Sequence, residues 1–188
     1  MPVFVSFAKR CFPLAAIGGA AVAALAQLAS APDLGWMDEY SAASWVLAVL
    51  GVGSFALVGG LKQAGAPIQG APERLLLGWS GALVLAAVSP VTELALAAEA
   101  AAFVSLLVAA VLMVPRLAAD ETWRAVARPV EWLALAAGFG LLALTYVALP
   151  GEQVLIGLVE RLLLGAEVAL VAVLAGWLVR LTRPLSVS

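Results

Sequence analysis

What most limits the folds open to this chain is the length of its apolar runs. Read with a window of about 19 residues, the sequence predicts spans over approximately Cys11 to Ala31, Ala42 to Leu61, Leu75 to Val91, Leu94 to Val114, Trp132 to Leu149 and Val154 to Val179. Each reaches or approaches the roughly 20 residues that cross about 30 Å of hydrocarbon at 1.5 Å per residue. Hydrocarbon offers a backbone N–H or C=O no water to bond, and a closed barrel is not built from runs this continuous, so the runs read as helices. Composition agrees: 64% of the residues are hydrophobic and 12% charged, and the mean hydropathy is +1.09, far outside the range of soluble domains. The gaps carry the expected punctuation, with Pro32, the Gly65 to Pro72 stretch, Ser89-Pro90, Pro115, Pro129 and Pro150-Gly151 at or near predicted span ends. The expected fold is all-α, a polytopic membrane helix bundle of six transmembrane helices in a single domain over residues 1–188.

Cations set the expected orientation. Lys9 and Arg10 precede the first span, Lys62 and Arg74 follow the second, Arg116, Arg124 and Arg128 follow the fourth, and Arg180 and Arg183 follow the sixth. Six crossings put all of these on one side. The opposite gaps hold Asp33, Asp38, Glu39, Glu93 and Glu152 without Lys or Arg. The positive-inside rule therefore predicts cytoplasmic termini and a short acidic outer face. Trp36, Trp45, Trp123, Trp132 and Trp177 fall near predicted span ends, as an aromatic belt requires, and Trp79 lies just inside the third span. Lys9-Arg10, an apolar stretch and Ala29-Ser30-Ala31 imitate a secretory signal. The run is nearer transmembrane length, and Pro32 would be the first mature residue, so a retained first helix is expected.

Several chemistries are excluded or left without support. The net charge is −2 and there is no histidine, and the few cations are scattered, so no basic surface for nucleic acid exists. Cys11 is the only cysteine, which removes intramolecular disulfides and thiolate metal clusters. Without histidine, imidazole haem ligation, zinc catalysis and a Ser-His-Asp triad have no basis in this chain. No Walker or dinucleotide fingerprint is present. No enzyme activity, metal or cofactor is expected. The chain lacks Asn and is dominated by Ala, Leu, Val and Gly, a composition suggesting a GC-rich bacterial genome and hence a bacterial cytoplasmic membrane.

Candidate functional residues are the ionisable groups that hydrocarbon tolerates least: Glu99 in the fourth span and Glu160, Arg161 and Glu167 in the sixth, with Glu93 at the outer end. A guanidinium at membrane depth costs roughly 2.5 kcal/mol or more and normally pairs with an acid or lines a wet cavity. With the outer boundary near Glu93 and Gln153, Glu99 and Arg161 lie roughly 9 and 12 Å deep, so a pairing between them is expected. Glu160 and Arg161 point about 100° apart, whereas Glu160 and Glu167, seven residues apart, share a face. Another placement stays open, in which Glu160 and Arg161 snorkel to the outer headgroups and the span begins at Leu162. Glu167 remains deep in either case.

Other patterns read as packing. Gly18-Gly19, Gly51-Val52-Gly53, Gly59-Gly60, Gly157 and Gly165 suggest close helix approach, as do the alanines around Glu99. The Arg116 to Glu131 gap has mixed charge rather than a polybasic run.

The stretch from Pro150 to Leu162, with Gly157, Leu158 and Arg161 in a Gly-Leu-x-x-Arg arrangement, followed by an apolar helix ending near Trp177 and Arg180, resembles the bacterial and archaeal membrane family called domain of unknown function 998. The Ser89-Pro90-Val91-Thr92 turn and the Trp45 to Gly59 helix are similar in placement. The resemblance implies six helices. That family usually carries a histidine near the start of the fourth helix; this chain has none, and a chemical role for that position would pass to Glu93 or Glu99.

Two functional expectations follow. In the first, a small membrane protein of unknown activity binds or conducts a small polar or lipidic ligand, in a proton-linked manner or not, at an outer-leaflet ligand-binding or proton site of Glu93, Glu99, Glu160, Arg161 and Glu167. In the second, the chain is a non-catalytic accessory subunit of a larger membrane complex, and the cluster fixes helix packing. The expected partners are the lipid bilayer, a small-molecule or lipid ligand, and partner subunits in the second reading.

Overall fold

The computed structural model describes residues 39–148 and 156–182. They form α1 (Glu39–Gln63), α2 (Ala71–Val88), α3 (Thr92–Ala119), α4 (Arg124–Ala148) and α5 (Ile156–Thr182). Each of the five is long and apolar enough to cross a membrane, which makes the chain an integral membrane protein. The first expected span, Cys11 to Ala31, lies outside the described residues, so the described bundle has five helices rather than the expected six.

Each helix packs on the next in sequence, and α5 returns to pack on α1. The described helices thus close a ring. Its inward faces follow helical spacing: Leu50, Ser54, Leu57, Val58 and Leu61 on α1, Leu76, Trp79, Ser80 and Leu83 on α2, and Leu170, Leu174 and Leu178 on α5 are all buried. The outward faces stay apolar, with Val52, Leu85, Leu96, Phe139 and Leu142 exposed, as lipid contact requires.

Lipid is as apolar as leucine, so burial from water does not drive these helices together and close packing must. Gly51 shows how. A Cβ placed there would lie 2.8 Å from Val84 Cγ2 and 3.0 Å from the Ser80 carbonyl oxygen, so α1 and α2 meet nearly backbone to backbone. At Gly165 no described residue stands within 4 Å of an added Cβ, so among the described helices it marks no close approach.

Helix ends depart from the sequence reading. Pro115 and Pro129 stand inside α3 and α4, not at span ends. Pro115 falls in the last turns of α3 and Pro129 just beyond the first turn of α4, where a lost backbone bond is tolerated better than at mid-helix. The expected Arg116 to Glu131 loop shrinks to the Asp120–Trp123 turn. There Asp120 Oδ1 accepts from the backbone N–H of Thr122 (2.9 Å) and Trp123 (3.2 Å), giving α4 its start at Arg124. Trp123 is not a belt residue: it is 1% exposed, whereas Trp45 and Trp132 face outward at 65% and 67%.

One end of the ring gathers the cations. Lys62 Nζ pairs with Glu73 at 2.6 Å across the α1–α2 loop. Arg116 donates to the Gln69 carbonyl in that same loop, tying the end of α3 to the start of α2. Gly65 and Gly70 give the loop its positive-φ corners (φ 73° and 88°), which only glycine adopts without strain.

Gly51→Ala should therefore destabilise the bundle by about 1–3 kcal/mol, the usual cost of forcing atoms into a packed contact. Gly78→Ala, where a Cβ meets nothing within 4 Å, should leave stability unchanged. Equilibrium unfolding of both variants in detergent checks this; equal stability would mean that α1 and α2 do not approach so closely.

Candidate functional site

Polar groups in the ring interior are few, and most are satisfied locally. Ser54, Ser80, Ser89 and Glu167 are the buried polar or charged residues among those described. Ser54 Oγ donates to Leu50 O at 2.6 Å and Ser80 Oγ to Leu76 O at 2.9 Å, each within its own helix. Ser89 Oγ accepts from Val91 N–H at 3.3 Å. Glu167 differs. It is 3% exposed, and among the described residues neither carboxyl oxygen has a hydrogen-bond partner. Such a group costs the full desolvation penalty of its polar atoms, on the order of 1–3 kcal/mol or more.

Periodicity places it there. Leu163, Ala166, Glu167 and Leu170 recur at helical spacing along one face of α5, and all four line a cavity of about 20 Å³. Phe103, Leu106, Leu107 and Ala110 enclose it from α3, and Leu133, Ala134, Ala137 and Leu141 from α4. From α4 the small side chains Ala134 and Ala137 border the space, and close approach is marked beside it by Gly140, where a Cβ would lie 3.1 Å from Leu163 Cδ1. Among the described residues, Glu167 is the one charged side chain in the wall.

Two groups act on Glu167 from other helices, the Trp79 indole of α2 and the Glu99 carboxyl of α3. Trp79 is 1% exposed, and its Nε1–H, like the Glu167 oxygens, is buried without a hydrogen bond. The indole and the carboxyl are neighbours whose contact falls outside hydrogen-bonding geometry, so donor and acceptor lie close but unjoined. Glu99 is half-buried and stands one helical turn before Phe103 on the face that lines the cavity.

The structure brings together two of the five expected site residues, Glu99 and Glu167. Glu93 is exposed in the first turn of α3, away from the buried carboxyl. Glu160 and Arg161 belong to α5, but their side chains lie outside the described residues, as does the expected pairing of Arg161 with Glu99. Trp79 was legible only as a tryptophan inside a span; its helical spacing from Leu76 and Leu83 marks an inward face, and nothing local ties it to a carboxyl on α5. Among the described residues no group of three metal-ligating side chains forms.

At the cation-rich end, the Arg180 guanidinium lies over the Trp177 ring, 5.5 Å from its centroid, a cation–π contact that also sets positive charge in the last turn of α5. It is remote in sequence from the carboxyl pair and closes the helix end.

No family model, no curated protein and no solved structure matches this chain.

A carboxyl retained for packing would have its oxygens bonded; among the described residues this one finds no such partner. Glu167→Leu should therefore leave stability unchanged or raise it by about 1–3 kcal/mol, as replacing an unsatisfied buried polar group by an apolar one of similar volume does. A loss of several kcal/mol on unfolding in detergent would show instead that Glu167 holds the helices together.

Proposed function

We propose that this chain is a small, non-enzymatic integral membrane protein that binds or conducts a small polar ligand at the buried carboxyl of Glu167. The reading rests on one observation: both oxygens of that carboxyl are buried without a hydrogen-bond partner among the described residues, in the wall of a cavity. Intramembrane ionisable residues are costly, and where no structural partner repays the cost a functional one is the default. A volume of about 20 Å³ suits a water-sized occupant.

The wider setting belongs to the same proposal. The protein crosses a bacterial cytoplasmic membrane six times, the first crossing being Cys11 to Ala31, with both termini cytoplasmic. The cation-rich end with Lys62, Arg74, Arg116, Arg124 and Arg128 faces the cytoplasm, and Glu160 and Arg161 complete the site toward the outer face. The Gly157-Leu158-Arg161 arrangement supports kinship with the domain of unknown function 998 family. The competing reading, an accessory subunit, is favoured by the apolar outer face of α4, where Trp132, Leu135, Phe139 and Leu142 are all exposed and a partner helix would find a continuous surface.

Sodium, ammonium and guanidinium ions, together with imposed pH gradients, are suitable probes in proteoliposomes. At least one should bind or move with the wild-type protein and fail to do so with Glu167→Gln. Silence toward every probe, with a stoichiometric partner copurifying, would overturn the proposal in favour of the subunit.

The topology is checked separately. With Cys11 replaced by Ser, a cysteine at Thr92 should react with an impermeant thiol reagent from outside intact cells, and one at Glu121 should not. The reverse pattern would invert the orientation.

A further inference from the structure

A buried carboxyl without a partner selects its guest by charge, by donors and by size. Among the described residues the cavity wall consists of Glu167 and eleven apolar residues. The two carboxyl oxygens, both buried without a hydrogen-bond partner, are therefore the side-chain acceptors a guest meets, and no side chain in the wall donates. An anion is repelled there, and a guest that needs a donor leaves its own acceptors unsatisfied. Hard divalent cations ask for about six to eight oxygen ligands, where the wall's side chains offer two. The volume of about 20 Å³ exceeds the ~10–15 Å³ that a single water needs. It holds roughly one or two non-hydrogen atoms on that scale, which excludes a lipid chain.

A small cation that carries its own N–H donors meets all three conditions. Ammonium is water-sized and needs no donor from the wall. Methylammonium keeps three donors and puts its methyl group against apolar side chains such as Leu163 and Leu170. Phe103 of α3 is the one aromatic side chain in the wall among the described residues, and an aromatic face attracts ammonium cations, the more so where water is excluded. Resting on the binding site proposed above, we propose that its ligand is a small protonated amine, ammonium or methylammonium, held by the Glu167 carboxylate of α5 with the Phe103 ring of α3 as its second contact. The carboxylate supplies charge and acceptors, and the ring supplies a cation-attracting surface that does not compete for the donors. Ala137 and Ala166 border the space with side chains small enough to leave it open.

Thermal unfolding of the full chain in lipid nanodiscs, at constant ionic strength, tests this with the chlorides of sodium, ammonium, methylammonium and tetramethylammonium, alongside equilibrium dialysis of labelled methylammonium. A ligand that binds only the folded state raises Tm with its concentration. Ammonium and methylammonium should raise Tm above its value in sodium, whereas tetramethylammonium, with the same charge but no N–H and too much bulk, should not. Glu167→Gln, which keeps the shape and deletes the charge, should abolish saturable methylammonium binding. Phe103→Leu, which keeps an apolar side chain and deletes the ring, should weaken it roughly fivefold to thirtyfold, the usual range for a desolvated cation–π contact. Binding that tetramethylammonium matches, or that survives Glu167→Gln, would overturn the assignment, and unchanged affinity in Phe103→Leu would overturn the part given to the ring. Saturable sodium binding that is lost in Glu167→Gln, without any for the amines, would overturn the amine as ligand while leaving a small-ligand site at Glu167 standing. Should Glu167→Gln not fold, the wild-type series and Phe103→Leu decide: amine binding that exceeds both sodium and tetramethylammonium and weakens without the ring supports the assignment, and the lack of either overturns it.

Discussion

Hydrocarbon gives a polar group nothing to bond to, and the architecture follows from that. Backbone amides answer it by forming helices; serines answer it by bonding the preceding turn of their own helix, as Ser54 and Ser80 do. What remains is the association of helices that no longer gain from leaving water. Here that is accomplished by contact, at Gly51 against the Ser80 carbonyl and at Gly140 against Leu163. The ring depends on those approaches, and the ring interior exists only because α5 returns to α1.

Against that background Glu167 breaks the pattern that the buried serines obey. An acid paired with a cation would contribute to packing at a desolvation cost that its partner offsets. Glu167 instead faces an indole N–H it does not join and a second carboxyl. Ala134 and Ala137 of α4 line the cavity together with it, so the carboxyl borders a water-sized space. A cavity and an unsatisfied acid are each destabilising, and their coincidence at one place is the physical ground for a binding role.

Much of this was legible beforehand, and the misses are instructive. Apolar run length predicted helices corresponding to α1 through α5, because satisfaction of backbone groups in lipid leaves no other choice. It misjudged α4, placing its start at Trp132 rather than Arg124, since proline and charge normally signal an end. Asp120 overrode that signal by capping the turn and letting Pro129 lie inside the helix. Trp123 read as a belt residue because its position in sequence matches one. Depth along a helix is a sequence property, but the side of the helix that finds a neighbour is not, and Trp123 turned inward.

The site divides in the same way. Sequence alone determined that Glu99, Glu160, Arg161 and Glu167 are anomalous, because charge in an apolar run is costly whatever surrounds it. Register also placed Glu167 on the face of Leu163 and Leu170, a consequence of 3.6 residues per turn. Which of these groups meet was decided by tertiary structure. The approach of Trp79 from α2 and Glu99 from α3 to one carboxyl on α5, and the cavity that α4 leaves beside it, depend on three helix crossings. No local pattern encodes those crossings, because they are set by the fit of side-chain surfaces between segments far apart in the chain.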